Sequence, residues 1–259
     1  MVSIFNPGFC GTKLVLRVLF QGILSLQESM IPLRDTVRSS TFPVVTYGII
    51  AVCTAVFLYE AWLGDRAALF ISRFALVPVS VYRTVLHGRF PIAVTLSIFT
   101  SMFLHGGWMH LIGNMLYLYI FGDNVEDRIG HKGFLLFYML SGIGAALAEV
   151  LAMPQSRTPV LGASGAIAGV LGAYFLLFPR ARVLTLIPLF LFFPIVEISA
   201  FFFLGFWFIL QFIEAAATST ESGAGGVAWW AHAGGFVVGA VLLPVFLALT
   251  PRSRKFLRT

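Results

Sequence analysis

Charged side chains are scarce in this 259-residue chain: Asp, Glu, Lys and Arg make up 11% of it. A soluble domain carries about 25%. That shortage excludes an ordinary water-soluble fold, and a hydrophobic share of 59% with a mean hydropathy of +0.93 points the same way. Acids are the rarer sign, 11 against 17 basic residues, giving a net charge of +6. In a soluble protein such a surplus suggests nucleic acid. In a chain this apolar it fits basic loops that hold membrane topology, so no nucleic-acid partner is expected. Cysteine is nearly missing. Cys10 and Cys53 lie far apart and match no disulfide framework or metal spacing. The His-Glu-x-x-His pattern of zinc proteases does not occur, so neither a metal nor another cofactor is expected. A clean secretory signal is missing too, because Lys13 and Arg17 interrupt the first apolar run.

What is present is a series of apolar runs, most of them long enough for ~30 Å of hydrocarbon; Met109–Phe121 is only the heart of its span, and Ala163–Phe178, short and glycine-rich, suggests a central helix wrapped by others. Six spans are expected, over Phe42–Leu63, Met109–Phe121, Gly133–Ala152, Ala163–Phe178, Ile198–Ala216 and Val227–Leu249. Gly64 to Trp108 mixes arginines with apolar patches and reads as a loop in the membrane interface. Gly122 to Arg128 reads as the turn that ends the second span, with Asp123, Glu126 and Asp127 solvated. Arg182 to Glu197, broken by Pro188 and Pro194, reads as a partly embedded connection, and Thr218 to Gly226 as a polar loop. The expected division is a cytosolic N-terminal extension (1–41), an all-α six-helix membrane domain (42–249) and a basic cytosolic tail (250–259). Residues 1–29 read as an amphipathic surface segment, and Met30 is a plausible alternative start.

With six spans, both tails and the even-numbered loops share one side. They hold Lys13, Arg17, Arg34, Arg38, Arg128, Lys132, Arg180, Arg182 and all four basic residues after Pro251. Only Arg66, Arg73, Arg83, Arg89 and Arg157 fall on the other side. The positive-inside rule then puts both termini in the cytosol. A bacterial plasma membrane is the favoured setting.

This topology brings four polar residues to one depth. His110 and Asn114 start the second span, Ser164 the fourth and His232 the sixth, and all three spans start from the outer side. Polar groups inside spans are costly and often functional. Ser is a weak nucleophile until a base takes its proton, and His232 is the candidate base. His110 and Asn114, four apart, share a helical face and can both donate hydrogen bonds to a developing oxyanion. Gly165, Gly169 and Gly172 recur at helical spacing, as do Gly235 and Gly239, a pattern that lets membrane helices approach closely.

Each residue also has a plainer reading. Ser164 could be small packing, Asn114 interhelical glue, and His110 a support for the loop before it. His105 reads as structural, bonded to backbone. The Phe-rich stretch Phe201 to Phe212 reads as lipid contact.

The motifs Gly162-Ala163-Ser164-Gly165, His110-x-x-x-Asn114 and Ala231-His232 with Gly235-x-x-x-Gly239 resemble the signature of the rhomboid intramembrane serine proteases. The run His105 to His110, and Gly122 with Glu126-x-Arg128-x-Gly130, resemble that family's second span and following turn. The resemblance covers about Phe42 to Leu249. It implies a six-helix bundle around a water-filled cavity, a Ser164–His232 catalytic dyad and an oxyanion site at His110 and Asn114. It also implies membrane-protein substrates, cut in or near a transmembrane helix. Two features depart from the family pattern: Ala168 stands where some members place an aromatic residue under the catalytic His, and no Trp-Arg pair precedes His105. The competing readings are an escort that binds membrane proteins without cutting them, and a metal protein using His105, His110, His232 and Asp123. A soluble-type esterase elbow is excluded, since it needs Gly where Ala166 stands.

Overall fold

Pro43 starts the first long helix, and the computed structural model of the chain, which describes residues 30–188, 192–218 and 227–250, builds the rest around it. The readings of residues 1–29, of the loop beyond 218 and of the tail beyond 250 fall mainly outside the described residues. Helix α1 (Val44–Leu63) ends at Gly64, whose φ of 54° is left-handed. Three short helices follow, α2 (Ala67–Phe74), α3 (Pro78–His87) and α4 (Ile92–Thr100). Two 3-10 turns, Gly64–Arg66 and Ser101–Phe103, flank them. The expected interface loop is therefore mostly helical. Pro78 sits in the first turn of α3, where its missing N–H costs nothing.

Helix α5 (Trp108–Ile129) and helix α6 (His131–Ala152) meet at Gly130, with φ 75°. Gly122 does not end the second span as its sequence suggested: α5 runs on two more turns. Asp123, Glu126 and Asp127 are helical, and Glu126 is fully buried rather than solvated. The reason is a set of partners distant in sequence. Helix α1 has no side-chain cap of its own. The Glu126 carboxylate supplies one, accepting from Val45 N (2.9 Å), Thr46 N (2.7 Å) and Thr46 Oγ1 (2.7 Å). Asp127 accepts from Ser40 and Thr41 beside it. Four orphan N–H groups open every helix, and acceptors from elsewhere can satisfy them.

The segment after Pro179 is also corrected. Strands β1 (Ile31–Asp35), β2 (Arg182–Leu186) and β3 (Ile195–Ser199) form an antiparallel sheet in that order. No apolar alternation announced it, since two strands flank the proline-broken run. Asp35 ties β1 to the bundle, accepting from Tyr174 Oη and from Asn124 Nδ2 at 2.9 Å. Burial pushes the Asp35 carboxyl above the usual carboxylate range, against the pull of the Tyr174 hydrogen bond.

Helix α7 (Ser164–Leu177) is the axis of the fold: every residue from Gly165 to Tyr174 is buried. Helix α8 (Ala200–Thr218) and helix α9 (Trp229–Leu249) complete the set. Small residues make the packing. A Cβ at Gly235 would overlap the Gly165 carbonyl, and one at Gly239 the Gly169 backbone. Gly165 and Gly169 instead face α6, at Ala145 and Ser141. Gly172 faces α9, where a Cβ would overlap the Phe236 carbonyl. The α9 glycines Gly235 and Gly239 rest on the α7 backbone, Gly172 admits α9 in return, and Gly165 and Gly169 admit α6. Gly239→Val is expected to destabilise the fold by at least ~1–3 kcal/mol, because rigid backbone cannot yield to the added methyls. Thermal unfolding in detergent measures it, and an unchanged midpoint would contradict this packing.

Among the described residues, three helical stretches are long and apolar enough to cross a membrane: Val44–Phe74, His131–Ala152 and Trp229–Leu249. A fourth arises if Ile92–Phe103 and Trp108–Ile129, bent by 77°, are one broken span. Helices α7 and α8 are shorter and apolar. The chain is thus a mostly helical, multi-pass integral membrane protein.

Candidate active site

Ser164 is the first residue of α7. The chain reaches it along an extended segment pinned by the Leu76–Val160 bridge, with N–H···O bonds of 3.0 and 2.7 Å. Gly162 then turns at φ 122°, a conformation that L side chains rarely adopt. Its N–H donates to the Ser101 carbonyl at 2.9 Å. Glycine is required here for a second reason. A Cβ would sit 2.7 Å from the His110 ring and 3.6 Å from Asn114 Nδ2. The turn therefore brings the backbone before Ser164 against both α5 side chains.

His232 lies in the first turn of α9. Its Nε2 is 2.8 Å from Ser164 Oγ. Its Nδ1 is 2.6 Å from Oε1 of Gln211, a buried residue of α8. Trp207, one turn before Gln211 on the same helix, lies 6.0 Å from the imidazole at 31°, and Trp229 lies 6.0 Å away at 88°. With Ala168 in place of an aromatic residue, the support of His232 comes from α8 instead. The start of α9 is held from outside: Oε2 of Glu149, on α6, accepts from Ala231 N at 3.0 Å.

His110 and Asn114 lie on α5. Gly106 N–H donates to His110 Nδ1 at 3.4 Å, which leaves Nε2 as the protonated nitrogen. Asn114 Nδ2 is buried with no protein acceptor among the described residues. The His105 ring is almost fully buried and packs edge-on against His110 at 5.3 Å. The ring lies against the Phe103 backbone, the kind of contact expected for a structural His105, and the residue's own N–H donates to Glu60 Oε2 at 3.4 Å.

His110, Asn114, Ser164 and His232 all line one cavity of about 1010 Å³. Most of its wall is apolar, from residues such as Met102, Trp108, Met109 and Trp230, and Glu149 is the one carboxyl side chain among the described lining residues. Among the described residues no three His, Cys, Asp or Glu side chains come together as a metal site. Gly165 lines this cavity, and Gly235 and Gly239, resting on the Gly165 and Gly169 backbone, set the α7–α9 spacing.

Sequence reasoning missed Gln211, Glu149 and Trp207. Gln211 and Glu149 had a usable signal: each is a polar side chain in an otherwise apolar helical run. Nothing in the sequence says which neighbour either one faces.

A multi-pass helical membrane protein with a Ser–His contact opening on a cavity between its helices is the class this geometry defines. The Rhomboid domain matches residues 94–249, more than half of the chain, and the chain belongs to the rhomboid family. It is 44% identical over 71 residues to Rhomboid-like protein 11, chloroplastic, of Arabidopsis thaliana, covering 27% of this chain and 25% of that one. It is 40% identical over 93 residues to Rhomboid protein 1, mitochondrial, of Saccharomyces cerevisiae, covering 34% and 27%. It is 43% identical over 74 residues to Rhomboid protease GluP of Bacillus subtilis, covering 29% and 14%. The matched stretches thus span about a quarter or less of these relatives. Chloroplastic, mitochondrial and bacterial relatives match alike, so the likeness does not single out a bacterial plasma membrane.

Proposed function

We propose that this chain is an intramembrane serine endopeptidase that cuts transmembrane segments of other membrane proteins. The observation that carries the reading is the 2.8 Å approach of His232 Nε2 to Ser164 Oγ at the wall of an apolar cavity. The proposed domain is 42–249, with β1 strapped to it. It crosses the bilayer six times through α1, α5, α6, α7, α8 and α9, with both termini on the cytosolic side. The proposed setting is a bacterial plasma membrane, and the basic-residue pattern supports the orientation of the spans in it.

In the proposed reaction Ser164 Oγ attacks the scissile carbonyl carbon while its proton passes to His232 Nε2. Charge gathers on the carbonyl oxygen. The donors suited to it are His110 Nε2–H, Asn114 Nδ2 and the backbone N–H groups that open α7, where the helix dipole adds positive potential. The C–N bond then breaks, and His232 returns the proton to the leaving amine. Water attacks the acyl ester, gives its proton to His232, and releases the carboxylic acid. His232 finally restores the proton to Ser164.

The unpartnered amide of Asn114 suits a group that binds a charge arriving only during reaction. Asn114→Ala is expected to lower kcat about 10-fold or more, with KM little changed. An unchanged kcat would return Asn114 to a packing role.

The test of the reading is cleavage of a single-span reporter by the purified chain in detergent, with and without a chelator. Expected is cleavage at one bond that ignores the chelator. Loss of cleavage on chelation would favour a metal mechanism. A folded chain that binds reporters without cutting any would favour an escort.

A further inference from the structure

We propose that Gln211 is the third member of the catalytic array: a neutral positioning residue that fixes the tautomer of His232. The inference rests on the protease reading above and goes beyond it in naming what orients the base.

A histidine can accept the Ser164 proton only through an unprotonated Nε2. The neutral imidazole has one N–H, so Nδ1 must then carry it. Two imidazole nitrogens of similar basicity leave that choice to their partners. Here Nδ1 faces an acceptor: Gln211 Oε1 at 2.6 Å. An N–H at Nδ1 completes that bond and leaves Nε2 bare toward Ser164 Oγ, 2.8 Å away. The reverse tautomer would set a bare Nδ1 against a carbonyl oxygen, two acceptors facing each other in a buried site. Burial makes that mismatch expensive.

The surroundings leave the task to Gln211. Facing His232 from the packed elements are His110 on α5, Glu149 on α6 through the Ala231 N–H, Ser164 on α7 and Gln211 on α8. Glu214 follows Gln211 by three residues on the same helix. The Glu149 oxygen engages backbone, not the imidazole. Trp207 stacks near the ring from the turn below Gln211 and limits its tilt. Spaced i and i+4, Trp207 and Gln211 share one face of α8. That face holds the ring plane with an indole and the ring proton with an amide. A carboxylate in this place would stabilise the imidazolium throughout the cycle. The amide selects the tautomer without adding charge to an apolar cavity.

The experiment uses the full chain in detergent micelles, labelled with 15N-histidine. The imidazole shifts of His232, assigned by difference from a His232 variant, report the tautomer directly. Wild type is expected to carry the proton on Nδ1. In Gln211→Met, close in shape but with only a weak thioether acceptor in place of the amide oxygen, that preference is expected to collapse into a mixture. kcat is expected to fall ~10–100-fold with KM within about twofold. Gln211→Glu keeps an acceptor and adds a charge. It is expected to restore turnover at high pH, with the acid limb of the pH–rate profile moved up by about one unit or more. Ile209→Ala, on the exposed side of α8, serves as the control and keeps wild-type turnover.

Wild type protonated on Nε2, a tautomer unmoved in a folded Gln211→Met, or an acid limb unmoved in Gln211→Glu would each overturn the proposal. The 15N measurement needs no turnover. A tautomer shift in a chain that cuts nothing would sink the protease reading while leaving the role of Gln211 standing.

Discussion

Replacing Ser164 by Ala is expected to reduce reporter cleavage by at least ~10⁴-fold while the chain stays folded. The magnitude follows from how such sites work. Nucleophile and base act as one unit, so removing either loses nearly the whole chemical advantage of the pair. The structural cost is small. Ser164 opens α7 as its first residue, alanine fits the same backbone, and one oxygen is lost at the edge of a cavity. His232 keeps its Gln211 bond and its aromatic neighbours, so the site does not collapse. Cleavage rates and thermal unfolding of the two proteins, measured side by side, check both halves. A Ser164→Ala chain that cuts within tenfold of wild type would remove Ser164 from the chemistry.

The second large effect concerns folding. Glu126→Ala is expected to destabilise the protein by ~3–5 kcal/mol, because several donors lose the one side chain that accepts from them. Glu126 is fully buried and caps α1 from α5. Its loss strands two backbone N–H groups and the Thr46 hydroxyl in an apolar setting, each at a cost of ~1–3 kcal/mol. Its Oε1, which also accepts from Val45 N, meets His131 Nδ1 at 2.5 Å, so the first turn of α6 loosens as well. Glu126→Gln keeps acceptor capacity and is expected to lose less. Chemical or thermal unfolding in micelles ranks the three proteins. Equal stability of Glu126→Ala and wild type would mean that α1 does not depend on this cap.

Much of this was legible in the sequence because membranes impose simple rules. Apolar length gave the approximate place of α1, α6 and α9, and glycine spacing showed that α7 could be approached closely. His110, Asn114, Ser164 and His232 stood out because a polar side chain in an apolar run needs a reason. The rest depended on contacts between distant residues. Glu126 looked like a solvated turn residue because its partners, Val45 and Thr46, are some eighty positions away. β1 looked like part of an extension because its pairing partner, β2, follows seven helices later along the chain. Gln211 sat unremarked in a Phe-rich stretch, since spacing alone cannot say that α8 packs beside the start of α9.

The most direct measurement is covalent labelling of the purified chain with a fluorophosphonate, which reacts with an activated serine hydroxyl and needs no knowledge of the substrate. Intact mass and peptide mapping would locate the adduct. A single adduct on Ser164, formed by wild type and lost in His232→Ala, is the predicted result. A folded wild-type chain with Ser164 unmodified, or one labelled equally fast in His232→Ala, would contradict the claim that His232 activates Ser164.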